Sequence, residues 1–305
     1  MSIVNWYLTP SVAFSIQKYA AAYLFVTVFI GLFSNGSIVL VTLKSQHLRG
    51  PCNILIAIQA LMDIVTSLGH IVYFYFLYSR TLIPFSECYF YQFVPTSAMN
   101  ITTALTLAIG VDRLLSLKYP LLYKMWSIKI YLTLMLLSCV LYDVLIKLIA
   151  YMTLTDDLVI CLIADGYVGL GKDTWVFTQV IINVAVVLVY RKIQQEMAVL
   201  RNSVKEARII ILSLYTIVVA YIFGWLMTMC LLGVVRVLTT EPNLVVTCEL
   251  FAGLFANLNM VIPAFIYYYR SSMYNMAFRG VFRKAEVTPL SGSHAGSTQA
   301  RTSIH

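Results

Sequence analysis

Seven long apolar runs follow one another along the chain, and short polar or basic segments separate them. They fall at 20–43, 53–77, 87–118, 127–152, 175–193, 206–232 and 244–268. Crossing ~30 Å of hydrocarbon takes about 20 helical residues, so each run is long enough to span a bilayer. The runs are continuous, whereas barrel strands alternate every second residue, and this predicts helices. No internal repeat relates one half to the other, which weighs against transporters built from inverted halves. Past the last run, Tyr274, Phe278 and Phe282 recur every four residues, with Arg279, Arg283 and Lys284 beside them. That pattern predicts an amphipathic helix over 271–286 lying on the inner leaflet. The Ser-, Gly- and Thr-rich stretch 287–305 is expected to be a disordered cytoplasmic tail. Residues 1–19 lack a signal-peptide pattern and are expected to form an outer segment, with the first span acting as an uncleaved anchor. The expected fold class is therefore an all-α membrane protein, with a seven-helix bundle over 20–270.

Composition agrees with this pattern. Of 305 residues, 60% are hydrophobic and 11% charged, and the mean hydropathy is +0.84. Soluble domains carry about 25% charged residues, so the bilayer must solvate much of this chain. The net charge of +8 reads as orientation rather than as a nucleic-acid footprint. Most of the 21 Lys and Arg residues follow the first, third, fifth and seventh spans. The positive-inside rule puts those segments in the cytoplasm and the amino terminus outside.

Some residues need a reason to be where they are. Asp112 and Arg113 close a long apolar run, and adjacent charges at the mouth of a span are costly unless used. Cys88 lies about 25 residues earlier, and at ~1.5 Å per residue this is roughly 37 Å, one bilayer with its interfaces. Cys88, Cys161 and Cys248 fall near the outer face. A Cys88–Cys161 bridge is predicted to pin the longest outer loop, with two free thiols as the alternative. Cys52, Cys139 and Cys230 read as small buried apolar groups. Asp63 is a lone carboxylate at mid-membrane, and Asn35, Thr102 and Asn259 are its candidate partners. Such a group either holds a cation or water and rearranges on activation, or is a hydrogen-bonded packing cluster. Asp143 and Lys147 share a helix face, which permits an ion pair or a place in the wall of an outer cavity. His70, above Asp63, is either a satisfied core histidine or a ligand contact. No zinc spacing, phosphate loop or nucleophile set appears, so neither an enzyme nor a metal or cofactor is expected.

In this order and spacing, the motifs resemble a rhodopsin-like G-protein-coupled receptor, most closely the nematode serpentine chemoreceptors of the srsx family. The resemblance covers nearly all of 20–283. It is carried by Asn35 in the first span, Asn53, Ala60 and Asp63 in the second, and Cys88. The run from Asp112 to Tyr123 carries it further, with Tyr190, Trp225 and the segment 265–271, in which Tyr267 is the switch tyrosine. The resemblance implies that Asp112 restrains Arg113 in the inactive state, and that Arg113 then helps receive the carboxy-terminal helix of a Gα subunit. Glu206, one residue from the usual acidic position of the sixth span, is a further candidate to hold Arg113. The implied site thus comprises Asp112, Arg113, Tyr190, Trp225, Tyr267 and Glu206.

The chain also departs from the family pattern. Leu114 replaces the usual tyrosine after the arginine, the fourth span lacks its tryptophan and the fifth its proline. Met227 stands where the sixth-span proline belongs, which removes the usual cause of a kink. Pro263-Ala264 replaces the Asn-Pro pair of the seventh span. Pro95 stands where amine receptors carry an aspartate, so a biogenic amine is not expected, and Asn257 stands where opsins carry the retinal lysine, so a light sensor is not expected. Aromatic residues in the outer halves, Tyr73 and Tyr75 among them, suit a small, mostly apolar odorant or pheromone. The candidate pocket is His70, Tyr91, Pro95, Phe177 and Trp225. The expected partners are a heterotrimeric G protein, a small-molecule ligand and the lipid bilayer, with no nucleic acid. The expected place is the cell membrane, including a sensory cilium. A small-peptide receptor of the same fold and a membrane transporter are the alternatives.

Overall fold

The computed structural model of the protein describes residues 10–200, 216, 220–239 and 241–286. Six helices among them are long and apolar enough to cross a membrane. They run over Pro10–Lys44, Pro51–Ser79, Phe93–Lys118, Ile128–Met152, Gly169–Leu200 and Pro242–Arg270. A shorter apolar helix, Met227–Leu238, preceded by the turn Ile222–Leu226, forms the outer part of the sixth span. The chain is thus a seven-helix membrane bundle. Glu206 lies outside the described residues.

Three differences from the sequence expectation have local causes. The first helix begins at Pro10 rather than near residue 20. Its extra turns are held from both sides: Ala13 and Gln17 are buried, and Lys18 and Arg80 lie over the Phe14 ring at 4.8 and 5.3 Å. The third span is broken at Gln92 into Phe85–Tyr91 and Phe93–Lys118. Pro95 has no N–H to offer the Tyr91 carbonyl, so the ladder loses a rung there. The Gln92 side chain instead donates to the carbonyls of Gly69 and Cys161, at 3.0 and 3.2 Å. Finally, a two-residue antiparallel ladder pairs Ile83 with Val159 and Pro84 with Leu158 in the outer loops.

The predicted disulfide between Cys88 and Cys161 is formed. Cys52 and Cys139 are buried as expected, but Cys230 is exposed on the bundle surface. Successive helical residues point about 100° apart, so one or two positions separate interior from lipid, and apolarity alone does not say which a residue faces. After the last span, the helix Ser272–Glu286 buries Tyr274 and Phe278. Tyr274 stacks on Tyr267 of the seventh span with centroids 4.8 Å apart.

Candidate functional site

Two interior cavities lie along the bundle, and Trp225 lines both. The outer one is bounded by His70, Met99, Trp175, Thr228, Met229, Glu249 and Asn257, among others. It leaves about 50 Å³ for the centres of water-sized bodies, room for a few such groups before any side chain moves. Methionines in its wall can repack, because their side chains have three rotatable bonds and a polarizable sulfur. The outer loop helps to cap this cavity, since Leu162, Ile163 and Ala164 belong to its lining. Further along that loop, buried Tyr167 stacks on Trp175, with centroids 4.9 Å apart and planes 10° from parallel.

A charged group closes the outer end. Lys172 at the start of the fifth span lies 2.6 Å from Glu249 of the seventh and 3.8 Å from Asp165 of the loop, and all three are buried. Asp165 also accepts the Leu162 backbone N–H at 2.9 Å. Burial pushes the Asp165 carboxyl up to about 6; Lys172 opposes the shift and Glu249 adds to it.

The second cavity gathers the polar core predicted from sequence. Asn35, Asp63, Thr102 and Asn259 all line it, together with Trp225, Tyr190 and Tyr267. Thr102 donates to Asp63 at 3.2 Å, and Asn35 donates to the Met260 carbonyl at 2.8 Å. Asn259 has a different task. With its amide oriented so that donor meets acceptor, its oxygen accepts the Trp225 backbone N–H at 2.8 Å and its nitrogen donates to the Ala220 carbonyl at 2.8 Å. The bridged segment, Ile222–Leu226, is π-helical. A π-turn widens the backbone ladder and leaves groups to be satisfied from elsewhere. The sixth span therefore keeps a local irregularity despite Met227 in the proline position, and a side chain of the seventh span supports it.

At the cytoplasmic end, Arg113 lies in electrostatic contact with Cys52, Tyr190 and Tyr267 as well as Asp112. Gly110 permits the approach: a Cβ there would come within 3.2 Å of the Tyr190 ring. Asp112 and Arg113 form no ion pair within 4 Å among the described residues. Asp112 instead accepts the Tyr123 hydroxyl at 2.8 Å, and the Cys52 thiol lies within electrostatic reach of both charged groups. The inner-loop helix Pro120–Met125 brings Tyr123 to Asp112. Burial and that hydrogen bond raise the Tyr123 hydroxyl above the ordinary tyrosine range.

The fourth-span pair is rearranged too. Asp143 and Lys147 form no ion pair within 4 Å among the described residues. Asn100 donates to Asp143 and to Tyr167, each at 2.8 Å, and accepts from the Trp175 indole at 3.1 Å. Lys147 donates to Thr96 and lies over the rings of Tyr89, Phe93 and Tyr167.

Of the predicted pocket residues, His70 and Trp225 line the outer cavity. Pro95 is buried against Gly69, beside that cavity rather than in its wall. Tyr91 and Phe177 are corrected: they are exposed on the outside of the bundle, at 55% and 65%. The break at Gln92 turns Tyr91 outward, and in the fifth span Trp175 and Gln179, not Phe177, face inward. Tyr75 likewise faces outward. Sequence reasoning missed Glu249, Asn100, Trp175 and Tyr167. For Glu249 the signal was available, as a carboxylate inside an apolar run; Tyr167 had none, since only the folded loop brings it inward.

The family model for the serpentine type 7TM GPCR chemoreceptor Srsx matches residues 28–282. No curated protein matches the chain.

Proposed function

Because the chain belongs to the serpentine type 7TM GPCR chemoreceptor Srsx family, we propose that the outer cavity binds a small molecule and that the cytoplasmic face around Arg113 activates a heterotrimeric G protein. The observation that carries this reading is the position of Trp225 in both cavities, on a π-helical turn bridged by Asn259. A ligand packed against Trp225, Thr228 and Met229 presses directly on the sixth span. The π-turn is the part of that span least constrained by its own ladder, so movement there costs least. Asn259 carries the movement to the seventh span, and the second cavity lies between that junction and Tyr190 and Tyr267. Those tyrosines in turn lie within electrostatic reach of Arg113. A ligand acts in this scheme only through its different affinity for the two arrangements of the bundle.

The narrow cavity under the outer loop supports a small molecule over a peptide. The proposed location is the cell membrane, including a sensory cilium.

The test is signalling by an amino-terminally tagged receptor at the cell surface, read as calcium or cAMP against fractionated environmental and conspecific extracts. A response in the wild type that Arg113→Ala abolishes at equal surface expression is the expected outcome. An equal response in both removes G-protein coupling through Arg113.

A further inference from the structure

We infer that Glu249 is the anchor for a cationic nitrogen, and that the ligand of the outer cavity is a small, mostly apolar amine. This rests on the reading above that the outer cavity is the ligand site, and adds the chemistry of what it takes. The first ground is charge. One ammonium, Lys172, faces two carboxylates, Glu249 and Asp165. All three are withdrawn from water, with residue exposures of 6%, 3% and 3%. A buried carboxylate without a full complement of partners is costly. The nearby pair of Arg236 and Asp173, 2.6 Å apart, supplies no further positive charge because it is neutral in itself.

The second ground is the set of hydrogen-bonding atoms left over. Glu249 uses Oε2 for Lys172, whereas its Oε1 is buried with no partner among the described residues. His70, also in the cavity wall, has its Nδ1 buried with no partner among the described residues. Its other nitrogen, Nε2, lies 2.8 Å from the Asn257 Oδ1, while the Asn257 nitrogen donates to the Gly253 carbonyl. That Oδ1 can only accept, so Nε2 carries the hydrogen and a neutral imidazole leaves Nδ1 as an acceptor. Both orphaned atoms are therefore acceptors; His70 meets the seventh span at Asn257, about 12 Å along the helix from Glu249, so it is the Glu249 Oε1 that calls for the charged donor. An ammonium offers three donors and the missing positive charge at once. The rings of Trp175 and Trp225 in the same wall favour a cation near them, and the methionines accommodate the apolar remainder. An amine held here pairs with the seventh span, so the absence of a third-span aspartate, where Pro95 stands, does not preclude it.

The experiment uses purified full-length receptor in lipid nanodiscs, with thermal unfolding as a binding readout that needs no G protein. The probes are 2-phenylethylamine, cyclohexylmethylamine and n-butylamine, each beside the alcohol of the same skeleton. The inference expects at least one amine to raise the unfolding temperature where its alcohol does not. In Glu249→Gln the apparent affinity for that amine should fall about tenfold to a hundredfold, the range for a charge-assisted hydrogen bond. In Lys172→Gln, with the resident cation gone, amine affinity should rise. Equal shifts by amine and alcohol, an amine shift retained in Glu249→Gln, or no shift from any amine would each overturn it. The amine–alcohol comparison in the wild type decides the matter even if a variant does not fold. Amine binding without any cellular response would leave this inference standing and remove G-protein coupling; a response to uncharged ligands alone, unchanged in Glu249→Gln, would do the reverse.

Discussion

Asn259 and Gly224 occupy space that leaves no room for one more carbon between them. A Cβ at position 224 would lie 2.1 Å from the Asn259 amide oxygen that accepts the Trp225 N–H. A flexible side chain could ordinarily swing aside, but this amide is committed to the backbone of the sixth span at both of its ends. Gly224→Ala is therefore expected to expel Asn259 and leave backbone groups of the π-turn unpaired, at about 1–3 kcal/mol for each buried group. Thermal unfolding of the purified receptor should show the loss. Asn259→Ala should cost a similar amount, and the double variant much less than the sum of the two. Additive losses would show that the two residues act independently.

The Tyr123–Asp112 contact leads to a signalling prediction. Tyr123→Phe removes the hydroxyl that occupies Asp112. The carboxylate is then left to Arg113, its adjacent cation, and draws it from Tyr190 and Tyr267. Agonist-driven signalling should fall in Tyr123→Phe at unchanged surface expression. Combining it with Asp112→Asn, which removes the competing charge, should restore part of the response. A response equal to wild type in Tyr123→Phe would show that the hydroxyl does not govern Asp112.

Asp165 makes the outer cap sensitive to pH. Its carboxyl titrates near 6 in the folded protein, above the ordinary aspartate value of 3.8. A folded-state value above the unfolded one means that the folded form holds its proton more tightly. The associated stability is complete below about 4 and is lost as pH rises through 6. Lowering the pH from 7.5 to 5 should raise the unfolding temperature through this group, and Asp165→Asn should flatten that part of the profile. Survival of the full slope in Asp165→Asn would assign it to other groups.

The Cys88–Cys161 bridge joins residues 73 positions apart. It fixes the loop that supplies Tyr167, Asp165 and part of the outer cavity lining. Native disulfides of small extracellular domains are worth about 2–5 kcal/mol. Cys161→Ser should lower surface expression and unfolding temperature, and should weaken ligand response in the receptor that does reach the surface. Normal ligand potency in Cys161→Ser would show that the loop reaches its position without the bridge.

The sequence was most legible where one physical constraint dominated. Hydrocarbon thickness fixed the spans, basic loops fixed their direction, and the oxidising outer face narrowed the bridge to Cys88, Cys161 and Cys248. The buried polar core was also readable, because Asn35, Asp63, Thr102 and Asn259 each needed an inward direction and found the same cavity. Side-chain direction within an aromatic-rich helix was not, as Tyr91 and Phe177 show: lipid and pocket are both apolar, and either can take a ring. Pairings set by loops were beyond reach too. Adjacent charges suggested that Asp112 would serve Arg113, and only the turn that carries Tyr123 shows otherwise. Asp143 and Lys147 were plausible partners by spacing, yet Asn100 and Thr96 from the third span take them instead.

The π-turn at Ile222–Leu226 also changes how the sixth span must be counted. Such a turn absorbs one residue more than regular helix does over the same rise, and thus acts as a single-residue insertion. Positions on its far side are displaced by one relative to a receptor whose helix is uninterrupted. Counted back from Trp225, Glu206 falls one residue beyond the usual acidic position. Helical counting across the turn therefore carries every position on its inner side one step further along the chain.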